Sequence, residues 1–157
     1  MKKSIKILIA SLVGIVIISG SVVLAVSILN ADHRYRLDDE YYAESKELNI
    51  EKDEYEDLIS NKKSFVILVD KPGCITTPGM RYNLRDFPED MQFQYYRIMW
   101  DEAKKSSLHE YVKFTPSVAI VYKGEVKVWL QADRDEDTKY FENADDLRDW
   151  IKKYIEF

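Results

Sequence analysis

Residues 64–69, SFVILV, form an unbroken apolar run rich in β-branched and aromatic side chains. Such a run marks a strand buried on both faces, so the rest of the chain must supply a covering layer on each side of it. The flanking sequence supplies those layers by alternation. Upstream, ELNI (47–50) is a short strand. Asp53-Glu54-Tyr55-Glu56 opens a helix, with Asp53 as cap and Glu56 three residues on as in a capping box, and Tyr55, Leu58 and Ile59 share one face. Downstream, residues 79–87 place Met80, Leu84 and Phe87 at helical spacing before Pro88, and MQFQYYRIMW (91–100) has the character of a strand. Lys104 to Tyr111 is a short helix, and SVAIVYKGEVKVWLQ (117–131) is a hairpin turning at Lys123-Gly124. Asn143 then caps a helix with Asp145 and Asp146 in its first turn and Leu147, Trp150, Ile151, Tyr154 and Ile155 along one face. The order β-α-β-α-β-α-β-β-α implies an α/β fold, a central mixed β-sheet flanked by helices.

The front of the chain has a different composition. Residues 7–29 are uncharged throughout and follow Lys2, Lys3 and Lys6. A run of about 20 apolar residues suffices to cross a bilayer as a helix. Basic residues on the short N-terminal flank hold that end in the cytoplasm. The expected organisation is a cytoplasmic flank (1–6), a transmembrane anchor (7–29), a polar juxtamembrane stalk (30–46) and a folded domain (47–157), in a single-pass membrane protein whose C-terminal domain is extracytoplasmic. A cleaved signal peptide is the alternative, since Val23-Leu24-Ala25 resembles a cleavage site. No cysteine stands at the end of the run, which excludes a lipoprotein anchor. Beyond Ala31 there are 20 basic and 28 acidic side chains, a formal charge of −8. That sign excludes nucleic acid as an expected partner and disfavours anionic lipid surfaces.

The chain's only cysteine lies in DKPGCITTPG (70–79), directly after the buried strand and before a helical segment. One cysteine forms no internal disulfide, so the domain stands on its core. A thiol at a helix N-terminus faces unpaired backbone N–H groups, which favours thiolate, and Lys71 adds to that. The opposing reading is that Cys74 packs as a small apolar side chain. Thr77-Pro78 suits a helix start without any chemistry, because threonine caps helices and proline fits the first turn.

From Glu47 to Phe157 the chain resembles the thioredoxin family. The resemblance rests on SFVILVDKPGCITT, a strand delivering a cysteine to the next helix; on DEAKKSSLHEYVKFTPS (101–117), ending in a threonine-proline pair; and on VAIVYKGEVKVWL (118–130), a hairpin with a Lys-Gly turn. It implies a thioredoxin fold with Cys74 as attacking thiol and Pro116 as the cis-proline. The backbone at Thr115 would then pair with an extended substrate strand, a mode in which main-chain bonds supply affinity. The motif is incomplete, Cys-x-x-Thr in place of Cys-x-x-Cys, because Thr77 stands where the resolving cysteine would be. Gly73 replaces the usual aromatic residue, Ser117 replaces the usual threonine, and Tyr111–Pro116 is one residue short. The family's buried acid lies further upstream than Asp70, so the resemblance does not carry its proton-relay role to Asp70.

Other residues carry less. His33 lies in the stalk and His109 on a polar segment, and no spacing pairs either with Cys74. Asp133, Asp135 and Asp137 imitate the start of a calcium loop, but Thr138 stands where glycine is needed and Ala144 where glutamate is needed. ADRDEDTKY (132–140) therefore reads as a solvated acidic loop, and neither a metal nor a cofactor is expected. Tyr95, Tyr96, Trp100, Trp129 and Trp150 read as core aromatics.

Two functions of different class remain. In one, Cys74 is the nucleophile of a single-cysteine thiol-disulfide oxidoreductase, forming mixed disulfides with exported substrates or small thiols. In the other, a binding or accessory module for exported peptides or proteins keeps the groove at Thr115-Pro116 and has lost the redox cycle. The absent second cysteine favours the binding module. In layout the chain looks like small anchored bacterial members of the family that accompany peptide or protein export.

Overall fold

The computed structural model describes residues 34–73 and 77–157. The expected anchor, 7–29, and Cys74 lie outside the described residues. Among the described residues no helix is long and apolar enough to cross a membrane.

Five strands form one sheet: β1 (Glu47–Ile50), β2 (Phe65–Asp70), β3 (Tyr95–Met99), β4 (Ser117–Tyr122) and β5 (Glu125–Gln131). Their spatial order is β1-β3-β2-β4-β5. β1 and β2 each pair parallel with β3, while β4 runs antiparallel to β2 and β5 antiparallel to β4. Among the described residues five α-helices accompany them: α1 (Lys52–Ser60), α2 (Thr77–Arg85), α3 (Trp100–Ala103), α4 (Thr138–Glu142) and α5 (Ala144–Tyr154). The mixed sheet flanked by helices is as the sequence predicts.

β2 is the centre of the sheet, and every one of its residues is buried. The apolar run thus behaves as a two-faced strand must. The hairpin turns where expected: Lys123 and Gly124 both adopt the left-handed region, at φ 52° and 77°. Positive φ at both turn residues matches the right-handed twist of the strands it joins. The last helix is capped as predicted, with Asn143 Oδ1 accepting the Asp145 N–H at 2.8 Å. Leu147, Trp150 and Ile151 are its buried face.

Several elements differ from expectation. The cap of α1 is Glu51, two residues before Asp53, and the capping box pairs Glu51 with Glu54. The Glu51 N–H donates to the Glu54 carboxylate at 2.9 Å. Asp53 lies inside the first turn and pairs with Lys52, so the better capping residue type stands two residues too late. Glu56 instead accepts the Ser107 N–H at 2.7 Å and ties α1 to the next connection. The helix expected over 104–111 does not form: the α-helical turn lies before it and only a 3-10 turn falls within it. α3 starts at Trp100, and Ser107–Glu110 is a separate 3-10 turn whose Leu108 N–H is capped by Ser106 Oγ at 3.3 Å. Two adjacent serines offer the backbone local hydrogen bonds that compete with a continuous helix. The strand expected over 91–100 is confined to 95–99, and Glu89–Met91 is a 3-10 turn after Pro88.

The described part of the segment expected as a stalk is packed onto the sheet. Leu37 and Tyr41 are 2% and 3% exposed. Tyr35 forms an isolated parallel bridge with Ile155, and its N–H donates to the Tyr154 carbonyl at 2.6 Å. The Tyr41 ring meets Tyr96 edge-on at 5.6 Å. The compact unit therefore runs from Arg34 to Phe157. The acidic segment 132–140 is likewise more than a solvated loop: it contains the start of α4 and a buried carboxylate, Asp137.

Candidate functional site

The ends of β2 and β4 bring two segments together. Val69, next to last in β2, is paired with Ser117, the first residue of β4. The chain leaving β2 toward Cys74 and the chain entering β4 through Thr115-Pro116 therefore start from neighbouring positions. The expected site residues thus divide. Thr115 and Pro116 sit at the end of the central strand pair, Thr77 is the first residue of α2, and Cys74 is outside the described residues.

Gly73 adopts φ 79° with nothing within 4 Å of a Cβ built on it. The left-handed backbone explains glycine here without any steric demand from neighbours. α2 begins at Thr77, with Pro78 in its first turn, the position proline tolerates best.

Asp70, the last residue of β2, is 3% exposed. Arg97 of β3 donates to its Oδ2 from Nε at 2.7 Å and again through the second guanidinium arm. The same guanidinium reaches Asn49 Oδ1 at 3.3 Å and lies 3.7 Å from Glu47 Oε1. Arg81 of α2 then clamps Glu47 with two bonds of 2.7 Å, and the Tyr95 hydroxyl donates to Glu47 Oε2 at 3.3 Å. The strand register makes this row: Glu47 lies opposite Tyr95, and Asn49 opposite Arg97. Two carboxylates and two guanidiniums thus neutralise one another beneath α2. The Glu47 hydrogen bond raises the Arg81 guanidinium further above its ordinary range. Burial, and then the Glu47 charge, push the Tyr95 phenol up.

On the other side the Thr115–Pro116 peptide bond is cis, as the resemblance implies. Pro116 is buried and Thr115 half-buried, whereas Phe114 is 51% exposed. Two side chains hold the backbone that precedes the proline. Ser117 Oγ donates to the Phe114 carbonyl at 2.7 Å, and the Lys113 N–H donates to Gln131 Oε1 at 2.8 Å. Gln131 has no signature as a site residue, because its sequence position says only that it ends a strand.

The remaining candidates are held in structure. His109 Nδ1 lies 3.0 Å from the Val112 carbonyl, and its ring meets Trp100 edge-on at 5.4 Å. Asp137 accepts the Gln131 N–H at 2.9 Å and lies 3.8 Å from an Arg134 guanidinium nitrogen. Among the described residues no group of three or more His, Cys, Asp or Glu side chains is arranged to hold a metal ion. Tyr95 and Trp150 are buried in the core. Trp129, on the edge strand β5, is half-buried between the Tyr111 ring at 5.4 Å and the Arg134 guanidinium at 5.3 Å.

No family model matches the sequence, and a search of the curated proteins returns no match. Solved structures do resemble it. Schistosoma mansoni thioredoxin superposes with a TM-score of 0.52 at 15% identity, over 70% of this chain and 96% of that one. The reduced thioredoxin pre-protein of the same organism gives 0.51 at 16% identity, over 72% of this chain and all 100% of that one. The long form of thioredoxin f from spinach chloroplast gives 0.50 at 16% identity, over 68% and 84%. At such identities the likeness establishes architecture: the described domain has a thioredoxin-like fold.

Proposed function

We propose that this protein is a membrane-anchored, extracytoplasmic thioredoxin-like binding module. Residues 7–29 anchor it, and the backbone at Thr115-Pro116 receives extended segments of exported peptides or proteins without a dithiol redox cycle. The observation that carries this reading is the cysteine count. The chain has one cysteine, Cys74, and Thr77 opens α2 three positions later, so no second thiol of this chain is available to resolve a mixed disulfide. The thioredoxin-like fold and the tethered segment before Pro116 support it, because strand addition needs an ordered backbone edge rather than a reactive sulfur. The formal charge of −8 beyond Ala31 disfavours nucleic acid as a partner.

The second reading keeps Cys74 as the nucleophile of a single-cysteine oxidoreductase, favoured by its sequence position between the central strand and Thr77. Its thiolate would attack a substrate disulfide, form a mixed disulfide and release one substrate thiolate; an external small thiol would then free Cys74. Capture of partners from cells expressing the full-length chain separates the two. The binding reading expects wild type and Cys74→Ser to recover the same partners, unchanged by reductant. Partners recovered only by wild type and lost on reduction would establish the oxidoreductase instead.

A further inference from the structure

We infer that Gln131 is a positioning residue for the backbone segment Lys113–Pro116, an inference that rests on the peptide-binding reading of that segment. Gln131 is the last residue of β5, is 6% exposed, and lies opposite Ser117 in the sheet register. Its side-chain oxygen accepts the Lys113 N–H at 2.8 Å. Its own backbone N–H donates at 2.9 Å to Asp137, whose side chain is only 10% exposed. Ser117, fully buried, meanwhile holds the Phe114 carbonyl at 2.7 Å.

The segment before the proline is thus fixed from both sides by side chains rather than by a strand ladder. One tether takes an N–H at Lys113, the other a C=O at Phe114. Among the described residues neither the N–H nor the C=O of Thr115 has a hydrogen-bond partner. Gln131 and Ser117 therefore take one donor and one acceptor of the backbone before Thr115, and the groups of Thr115 itself are left for an incoming strand. An edge ordered in advance binds more tightly because the ordering cost does not fall on association. The partner this fits is an extended peptide whose main chain supplies the bonds. Phe114, 51% exposed beside that edge, offers it an apolar contact.

Amide hydrogen exchange on the full-length chain tests the positioning role. Gln131→Met keeps the volume and removes the acceptor; Gln131→Glu keeps an acceptor oxygen at the same reach. Lys113 is expected to exchange about tenfold faster in Gln131→Met and near the wild-type rate in Gln131→Glu, with the core strands unchanged. Unchanged Lys113 exchange in a folded Gln131→Met overturns the inference. Should that variant not fold, Gln131→Leu decides on the same readout: faster exchange at Lys113 with unchanged core strands supports the role, and unchanged exchange at Lys113 overturns it. Binding is read with reduced, carbamidomethylated ribonuclease A, an unfolded chain with blocked thiols, at salt that screens long-range charge. Gln131→Met is expected to weaken that binding about tenfold, with recovery in Gln131→Glu. A Gln131→Met protein whose Lys113 amide is deprotected but which binds as wild type overturns the link to binding. A wild-type protein that does not bind the probe overturns the binding reading, and with it the role for which Gln131 positions the segment.

Discussion

Arg97 reaches from β3 to the last residue of β2, where its Nε donates to Asp70 Oδ2 at 2.7 Å with the carboxylate side chain only 4% exposed. Removing the guanidinium leaves a buried charge without a partner, the costly way to break such a pair. Arg97→Met is expected to destabilise the protein by about 3 kcal/mol. Arg97→Met/Asp70→Leu should recover most of that loss, because no buried charge is then left without a partner: Glu47 keeps its two bonds from Arg81. Urea unfolding of the two variants checks this; equal destabilisation by both would mean the pair is not coupled.

Gly124 is fixed by contact as well as by conformation. At φ 77° a Cβ there would stand 2.4 Å from the Ile59 carbonyl oxygen. Gly124→Ala is expected to cost about 2–3 kcal/mol, against about 1 kcal/mol for Gly73→Ala. Gly73 has a similar φ of 79° but nothing within 4 Å of the added atom. Thermal unfolding of both variants reads the difference, and equal shifts would remove the steric part of the account.

Three buried phenols are pushed upward in pKa. Tyr41 is raised by burial and by its hydrogen bond with Tyr96, Tyr55 by burial, and Tyr95 by burial and the Glu47 charge. A folded pKa above the unfolded value of about 10 means that the native state holds these protons more tightly. The stability they contribute is complete below that pH and is lost as pH rises above it. Alkaline titration followed by phenolate absorbance and circular dichroism should show these tyrosines ionising only as the fold is lost. Ionisation of all eleven tyrosines before any change in circular dichroism would contradict this.

Asn143 accepts the Asp145 N–H at the start of α5. Asn143→Ala is expected to cost about 1 kcal/mol, read as a lower urea midpoint with an unchanged slope.

The parts of the fold legible in the sequence were those in which a periodic pattern and a local signal agree. β2 reads from SFVILV, the hairpin from Lys123-Gly124, and α5 from Asn143 with its apolar stripe. Residues 34–46 were illegible because Leu37 and Tyr41 are buried by an irregular chain that has neither strand nor helix period. The cap of α1 was misplaced because residue preference favours Asp53, whereas the reciprocal bonds go to Glu51 and Glu54. The cis bond at Thr115-Pro116 was legible through the family resemblance, while the contacts of Gln131 and Arg97 come from sheet register. Register brings Gln131 to Lys113 and Arg97 to Asp70 across 18 and 27 positions of sequence, which no local pattern encodes.

The most direct test of the account is equilibrium binding of reduced, carbamidomethylated ribonuclease A to full-length wild type and to Cys74→Ser. With every thiol of the probe blocked, binding at the Thr115-Pro116 edge predicts the same Kd for both proteins, within about twofold. Binding by wild type that is lost in Cys74→Ser would contradict it and place the sulfur at the centre of recognition.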